Sequence, residues 1–241
     1  MHQDNFYSKI EANSYFKRWK QGNKKAYNDA KRKLRPSKLE ILENLNKNYS
    51  LKKKKVLEVG CFIGDLLSVL RAKYKCTVLG IEPSSLACKF GKQYFNLNIE
   101  NSTFLNSKFF SLNMRNLNKF DVIIFDDILS WVDRSAILPT LGVMDWLLKP
   151  NGIIYLRDFS PPTAFALKNY HWKKDKIYNF KQKLGHKKNL LDSGKYIEIF
   201  NQTRLTSQYQ KIKIKNEISL IWSDSILKKI DGFTHPILTL K

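Results

Sequence analysis

Short apolar runs alternate with amphipathic stretches along the middle of the chain. The runs predicted as strands cover residues 56–59, 77–82, 121–126 and 153–159, and the stretches predicted as helices cover residues 65–74, 84–94 and about 134–148. Continuous apolar runs joined by helices are typical of buried parallel strands with crossover connections. The pattern therefore predicts an α/β fold, a doubly wound and mostly parallel sheet with helices on both faces.

The carboxyl-terminal part of the chain has a different pattern. Residues 195–202 and 211–223 alternate between apolar and polar positions, which is typical of half-exposed antiparallel strands. We therefore expect an antiparallel edge on the sheet. The polar and basic stretch around residues 160–192 predicts an insert on the substrate side, within a single α/β domain over residues 51–241.

The amino-terminal part is polar and basic, and it is rich in aromatic residues. Tyr15, Phe16 and Trp19 fall loosely at helical spacing. Pro36 is suited to the first turn of a second helix, whose apolar residues share one stripe. These features predict an N-terminal helical lid or extension over residues 1–50.

The first apolar run ends in a glycine turn, VLEVGCFIG, directly before a predicted helix. Gly60 lets the backbone turn sharply and Gly64 allows a close approach where the helix begins. Asp65 follows at once, and a carboxylate there would repel the diphosphate of a dinucleotide but would suit a cationic ligand. Glu82 ends the second run, where an acid can accept hydrogen bonds from ribose hydroxyls. The alternative is that Glu82 only caps the helix after Pro83.

Four segments in order resemble the motifs of class I S-adenosylmethionine-dependent methyltransferases. They read VLEVGCFIG, VLGIEPS, FDVIIFDDILSWVDR and LLKPNGIIYLRDF, and together they cover about residues 55 to 160. The family's first motif is acid-x-Gly-x-Gly-x-Gly, and Phe62 stands here in place of the middle glycine. The resemblance implies a Rossmann-like, seven-stranded sheet and S-adenosyl-L-methionine as the cofactor.

The resemblance also implies a set of site residues. Glu58 and the turn would hold the amino-acid end of the cofactor, and Glu82 would hold its ribose. The expected cofactor-binding residues are Glu58, Gly60, Cys61, Phe62, Gly64, Glu82, Pro83, Asp127, Ile128 and Trp131. Trp131 could instead be a core residue, and Asp133 is interpreted as the cap of the next helix.

Methyl transfer needs alignment of the reactants first, and an oxygen acceptor also gains from a general base. Asp126 and Asp127 at a strand end, and His171 in the insert, are the catalytic candidates; a histidine in a basic loop can also be incidental. The expected substrate-binding residues are Tyr7, Tyr15, Phe16, Trp19 and Arg157. A ribose-methylating set of Lys, Asp126, Lys168 and Glu198 is also conceivable, but lysines are common throughout the chain.

The formal charge of +22 leaves the acceptor open. Residues 1–55 carry 16 basic against 5 acidic residues and residues 161–241 carry 16 against 6, whereas the middle is balanced. These flanks would suit an anionic partner, yet the dominance of Lys over Arg also fits a purely compositional bias. We expect a small-molecule acceptor, which can be anionic. The alternatives are an RNA methyltransferase and a non-catalytic binding subunit; the pattern does not predict an oligomeric state.

Several classes of protein are disfavoured by what the sequence lacks. The apolar runs are far shorter than the roughly 20 residues of a membrane span, and the amino terminus has no secretory h-region. A cytoplasmic location is the expectation. Three cysteines without a CxxC pair argue against a disulfide framework and a metal site.

Overall fold

The computed structural model describes residues 6–107, 118–168, 178–205, 221–232 and 234. Its main element is a seven-stranded sheet in the order β3-β2-β1-β4-β5-β9-β8, and a separate hairpin pairs β6 with β7. The strands are β1 (Lys55–Val59), β2 (Thr77–Ile81), β3 (Ile99–Glu100), β4 (Phe120–Asp126), β5 (Leu148–Phe159), β6 (Phe165–Lys168), β7 (Tyr178–Lys181), β8 (Tyr196–Leu205) and β9 (Ile221–Lys229). β3, β2, β1, β4 and β5 pair in parallel, and β9 and β8 continue the sheet in antiparallel pairing. The predicted fold class is confirmed.

Helices cover both faces of this sheet. They are α1 (Ala12–Gly22), α2 (Lys24–Asp29), α3 (Pro36–Asn48), α4 (Asp65–Tyr74), α5 (Ser85–Phe95), α6 (Arg134–Leu147) and α7 (Lys187–Leu191). A π-helical turn, Tyr7–Glu11, leads into α1, and a 3₁₀ turn, Leu129–Trp131, follows β4. None of the helices in the described ranges is long and apolar enough to cross a bilayer.

Two hydrophobic clusters pack on the sheet, one on each face, and a third lies between α1, α5 and the segment after β1. Side chains alternate along β4, so that Ile123 and Phe125 pack with α6 on one face. Val122 and Ile124 pack on the other face with α3 and α4. Since α3 buries its apolar stripe in this second cluster, it fixes the amino-terminal segment directly on the sheet. The predicted division into a lid over residues 1–50 and a domain over 51–241 stays a prediction.

Two strand boundaries differ from the predictions. The last strand was expected at residues 211–223; residues 206–220 lie outside the described residues, and β9, Ile221–Lys229, extends past the predicted end. Its centre is polar: Ser223, Asp224 and Ser225 are buried because Asp224 pairs with Arg157. Residues 148–152, which precede the predicted strand over 153–159, belong to β5, and the pairing with β4 shifts register there, between Phe120 and Val122.

Candidate functional site at the carboxyl edge of the sheet

The turn between β1 and α4 lies where the parallel strands end. The amide groups of Gly60 and Cys61 both donate to the carbonyl of Ile81 at the end of β2, at 2.8 and 3.2 Å. Gly60, Phe62 and Gly64 all have positive φ, at 66°, 54° and 74°. Three left-handed residues in five turn the chain sharply into the helix, and two of them are glycines, for which this conformation carries no steric cost.

Phe62 keeps the left-handed backbone that the missing glycine would favour. Its ring is buried beneath the amino-terminal segment: the rings of Tyr15, Phe16 and Trp19 lie 5.3, 5.8 and 5.1 Å from it. The guanidinium of Arg35 lies 5.0 Å from the same ring. Three predicted substrate-binding residues therefore contact the predicted cofactor turn.

Glu82 lies immediately after β2 and is buried against the same turn. Its two carboxylate oxygens accept hydrogen bonds from the amide groups of Phe62, at 2.9 Å, and Ser84, at 2.8 Å. Burial raises the pKa of Glu82 to about 7, although both amide donors oppose this shift. Each carboxylate oxygen can accept a second hydrogen bond. Glu82 thus orders the turn and keeps capacity for a ligand.

A cluster of three carboxylates and two cations surrounds the base of the turn. Lys38 Nζ, 3% exposed, lies 2.5 Å from Glu58 Oε1 and 2.9 Å from Asp126 Oδ2. Arg35 holds Asp65 through Nε and an Nη atom, at 2.9 and 2.7 Å, and through its own amide group. Asp65 begins α4, as the sequence indicated, but an internal guanidinium neutralises it.

The carboxylates in this cluster are not equivalent. Burial raises the pKa of Glu58 despite its contact with Lys38. Burial alone would raise the pKa of Asp126 as well, but Lys38 and Arg157 together hold it below the ordinary value. Glu58 Oε2 is buried without a hydrogen-bond partner. Such an atom is costly in a folded protein unless a ligand or water completes it.

Arg157, a predicted substrate-binding residue, is buried and paired within the protein. It is 2% exposed, and its Nε lies 2.5 Å from Asp224 Oδ1. Its Nη atoms donate to Glu40 Oε2 at 2.9 Å and to the carbonyl of Ser37 at 3.2 Å. These contacts join β5, β9 and α3. The predicted role of Arg157 in substrate binding stays a prediction.

The chain after β4 brings further predicted residues to this edge. Asp127 has a φ of 56°, and its amide group donates to the carbonyl of Arg157 at 2.9 Å. Ile128 packs on Gly60, where a Cβ atom would overlap the Ile128 side chain. Trp131 contacts the ring of Tyr7 at 5.3 Å, so that the amino-terminal segment reaches both sides of the site. Asp133 caps α6, as predicted, by accepting from the amide group of Ser135.

The ends of β5 and β7 contribute residues that the sequence did not indicate. Asp158 Oδ1 accepts from the hydroxyl of Ser130 at 2.7 Å and from the amide group of Phe159 at 2.8 Å, and Asp158 Oδ2 shares a hydrogen bond with His186 Nδ1. Lys181, at the end of β7, is 2% exposed and has no hydrogen-bond partner at Nζ. The hairpin β6–β7 thus adds a buried cation beside the 3₁₀ turn.

Some predicted residues are not brought together, and others were missed. His171 and the side chain of Lys168 lie outside the described residues. Glu198 pairs with Lys187 at 2.8 Å rather than with Asp126. Lys38 was missed by the sequence analysis. It lies at helical spacing with Ile41, Leu42 and Leu45, and a charged residue within such an apolar stripe indicates a buried ion pair. Nothing in the local sequence distinguishes Lys181 from the other lysines.

The described ranges contain neither a candidate metal site nor a disulfide bond. No group of three or more His, Cys, Asp or Glu side chains there is placed to hold a metal ion. Cys61, Cys76 and Cys88 are free thiols, and burial raises the pKa of all three.

Comparisons with known proteins agree with this geometry. A family model described as a methyltransferase domain matches residues 50–216. A curated relative, an uncharacterized protein of Rickettsia prowazekii (strain Madrid E), is 30% identical over 107 residues, which are 42% of this chain. The chain spans only about 41% of the length of that relative.

Solved structures with the same fold have low sequence identity. One is the 1,6-didemethyltoxoflavin-N1-methyltransferase of Burkholderia thailandensis, crystallised with 1,6-didemethyltoxoflavin and S-adenosylhomocysteine; it is 12% identical, with a TM-score of 0.59 over 93% of this chain and 89% of that one. Another is an S-adenosylmethionine dependent methyltransferase of Mesorhizobium loti, 11% identical, with a TM-score of 0.56 over 78% of this chain and 96% of that one. At these identities the likeness concerns the fold alone.

Proposed function

Because this chain belongs to the methyltransferase domain family, we propose that it transfers a methyl group from S-adenosyl-L-methionine to a small-molecule acceptor. The observation that carries the proposal is the unsatisfied Oε2 atom of Glu58, buried at the end of β1 directly before the glycine turn. An ammonium group is the partner that this carboxylate lacks. A bound cation would also relieve the burial that raises the pKa of Glu58.

The residues at the turn fit the cofactor in charge and in backbone shape. Glu58, Asp65 and Asp126 face Lys38 and Arg35, and Asp126 also lies 3.6 Å from Arg157, which is itself shared with Glu40 and Asp224. A site so rich in carboxylates suits a ligand of net positive charge. The left-handed turn, free of a side chain at Gly60, allows a close approach to the backbone. Glu82 has lone pairs left for ribose hydroxyls.

Once bound, S-adenosyl-L-methionine supplies a methyl group that is already activated for transfer. The protein then has to position the acceptor and keep water away. Tyr7 on Trp131 covers one side, and the rings of Tyr15, Phe16 and Trp19 cover the other. Correct alignment of the reactants accounts for about 7–11 kcal/mol of the barrier in well-oriented cases.

The charges at the site favour a small acceptor over RNA. Arg35, Lys38 and Arg157 are each paired with internal carboxylates, and so they do not form an open phosphate-binding surface. An RNA groove needs accessible cations and exposed stacking rings. At this site the aromatic rings pack edge-on or tilted against one another, and Phe16 is buried while Tyr15 is half exposed.

Calorimetric titration with S-adenosylhomocysteine tests the cofactor assignment. Wild-type protein should bind it, and Glu58→Gln should weaken binding by roughly tenfold or more, because a charge-assisted hydrogen bond is lost. Asp121→Asn is the matched control, since Asp121 also pairs with a lysine but lies at the opposite edge of the sheet. A folded wild-type protein without any binding would leave the non-catalytic subunit as the function.

The RNA alternative is tested by a separate titration. A single-stranded RNA oligonucleotide should bind weakly and with a shallow dependence on salt. A loss of affinity of roughly 10³-fold or more between about 50 and 200 mM salt would identify a phosphate-tracking surface. That result would replace the small-molecule acceptor by RNA.

A further inference from the structure

Two buried polar atoms, one near the end of β4 and one at the end of β7, have no hydrogen-bond partner. The first is an acceptor and the second is a donor. Asp127 Oδ1 lacks a donor, and Lys181 Nζ lacks an acceptor. Because each is without any hydrogen bond, they are not bonded to each other, although their charges interact. Buried groups of this kind are strongly disfavoured unless something completes them. A ligand with both a donor and an acceptor would complete the two atoms.

The neighbouring carboxylate does not complete Lys181. Asp158 already accepts two hydrogen bonds at Oδ1, from Ser130 and from the amide group of Phe159, and one at Oδ2, from the contact with His186. The negative charge of Asp158 therefore acts on Lys181 without a hydrogen bond, because the hydrogen bonds of Asp158 go to other partners. The ammonium of Lys181 stays available.

The surroundings of Lys181 are aromatic. Its Nζ lies 3.5 Å from the ring centroid of Phe159 and 5.8 Å from that of Trp131. Phe159 ends β5 and Trp131 ends the 3₁₀ turn after β4, on which the β6–β7 hairpin rests. The Nζ atom thus lies against aromatic faces, a setting that suits a ligand with a flat, apolar body.

We propose that Asp127 and Lys181 form the acceptor subsite, for a small molecule that carries an N–H or O–H nucleophile beside a carboxylate or carbonyl oxygen on a flat apolar body. Lys181 binds the oxygen, and Asp127 accepts the hydrogen of the nucleophile. This inference rests on the proposed function, and it adds a substrate class and a residue, Lys181, to it.

The chemistry of the pair suits proton removal during transfer. The nucleophile gives its proton to Asp127 Oδ1 and its electron pair to the methyl carbon, while the carbon–sulfur bond breaks with its pair left on sulfur. Burial raises the pKa of Asp127 to about 7, with Asp158 and Asp126 adding to the shift and Lys181 opposing it. Burial lowers the pKa of Lys181, against the effect of Asp127 and Asp158. A base with a pKa near the working pH transfers protons efficiently.

The test uses protein saturated with S-adenosylhomocysteine and four probes, titrated by calorimetry. Anthranilate and salicylate carry the full set of groups, benzoate lacks the nucleophile, and aniline lacks the carboxylate. Wild-type protein should bind anthranilate or salicylate about 10- to 100-fold more tightly than benzoate or aniline, because each comparison adds one hydrogen bond to a charged group.

Two variants assign the contacts. Lys181→Met should reduce the affinity for anthranilate to that for aniline, and Asp127→Asn should reduce it to that for benzoate. Lys181→Met should leave the affinity for S-adenosylhomocysteine unchanged. Lys181→Met should also unfold at the same temperature as wild type or higher, since a buried unpaired charge is removed.

Each failure has a distinct meaning. Loss of S-adenosylhomocysteine binding in the wild type refutes the proposed function itself. Retained S-adenosylhomocysteine binding without millimolar binding of any probe, or without discrimination among them, overturns the substrate class. A Lys181→Met protein that binds anthranilate like wild type, or that unfolds at a much lower temperature, overturns the role of Lys181.

Discussion

The side chain at position 62 is where backbone strain and side-chain packing oppose each other. Phe62 has a φ of 54°, a conformation that costs a residue with a Cβ about 1–2 kcal/mol. Its ring is only 7% exposed and packs among three aromatic rings. Truncation of a buried Phe to Ala costs about 3–5 kcal/mol. Packing is the larger effect, so every truncation here should destabilise the protein.

The informative comparison is between alanine and glycine at this position. Phe62→Ala loses the ring and keeps the strain, so the free energy of unfolding should fall by about 4 kcal/mol. Phe62→Gly loses the ring but relieves the strain of about 1–2 kcal/mol, against an entropic cost for glycine of about 0.5–1 kcal/mol. The glycine variant should therefore be the more stable of the two, by up to about 1.5 kcal/mol.

Phe90 provides the matched control. It lies in the same aromatic cluster and is 4% exposed, but it belongs to the interior of α5, where alanine is favoured over glycine by about 1 kcal/mol. Urea denaturation of the four variants should give glycine above alanine at position 62 and alanine above glycine at position 90. The same order at both positions would refute the left-handed turn, whatever the size of the individual losses.

Three further predictions concern stability. Arg157→Met should lower the free energy of unfolding by up to about 3–5 kcal/mol, because it removes the buried cation beside Asp224 and Asp126 and leaves Asp224 only the half-buried Arg204; urea denaturation measures this, and an unchanged midpoint contradicts the buried pair. Glu82 has a folded pKa of about 7, above its ordinary 4.5, so it makes stability fall as pH rises between these values, by at most about 1.4 kcal/mol per pH unit. Denaturation from pH 5 to 8 should show a flatter profile for Glu82→Gln than for wild type, and identical profiles would argue that Glu82 is solvated. Asp133→Ala should cost about 0.5–2 kcal/mol in thermal unfolding and Asp133→Asn much less, since Asp133 caps α6; equal losses would contradict the cap.

The sheet and the glycine turn were predictable because their signals are local. Apolar runs of strand length and the spacing from Gly60 to Glu82 follow from neighbouring residues alone. The extension of the strand Ile221–Lys229 past residue 223 was not predicted, because its buried Asp224 depends on Arg157, 67 residues away, and on Arg204. A polar centre in a strand argues against burial until its partner is known.

The same limit applies to the site. Glu58 and Glu82 could be predicted because a motif and a strand end mark them. Lys181 could not, since its position depends on a hairpin that follows β5 and returns over the 3₁₀ turn. Sequence spacing carries no information about such long-range placement in a chain in which lysine is abundant.

The phenylalanine in the turn and the amino-terminal segment are best understood as one adaptation. A bulky residue at a left-handed position costs about 1–2 kcal/mol, and full burial of a Phe side chain contributes about 1.5–3 kcal/mol. The exchange of glycine for Phe62 is therefore tolerable only while Tyr15, Phe16 and Trp19 cover the ring. These three residues precede the part of the chain that the family model matches, which begins at residue 50. Docking of α1 and the shape of the cofactor turn are thus energetically coupled, and a change that detaches the helix should weaken the turn even where it touches no ligand.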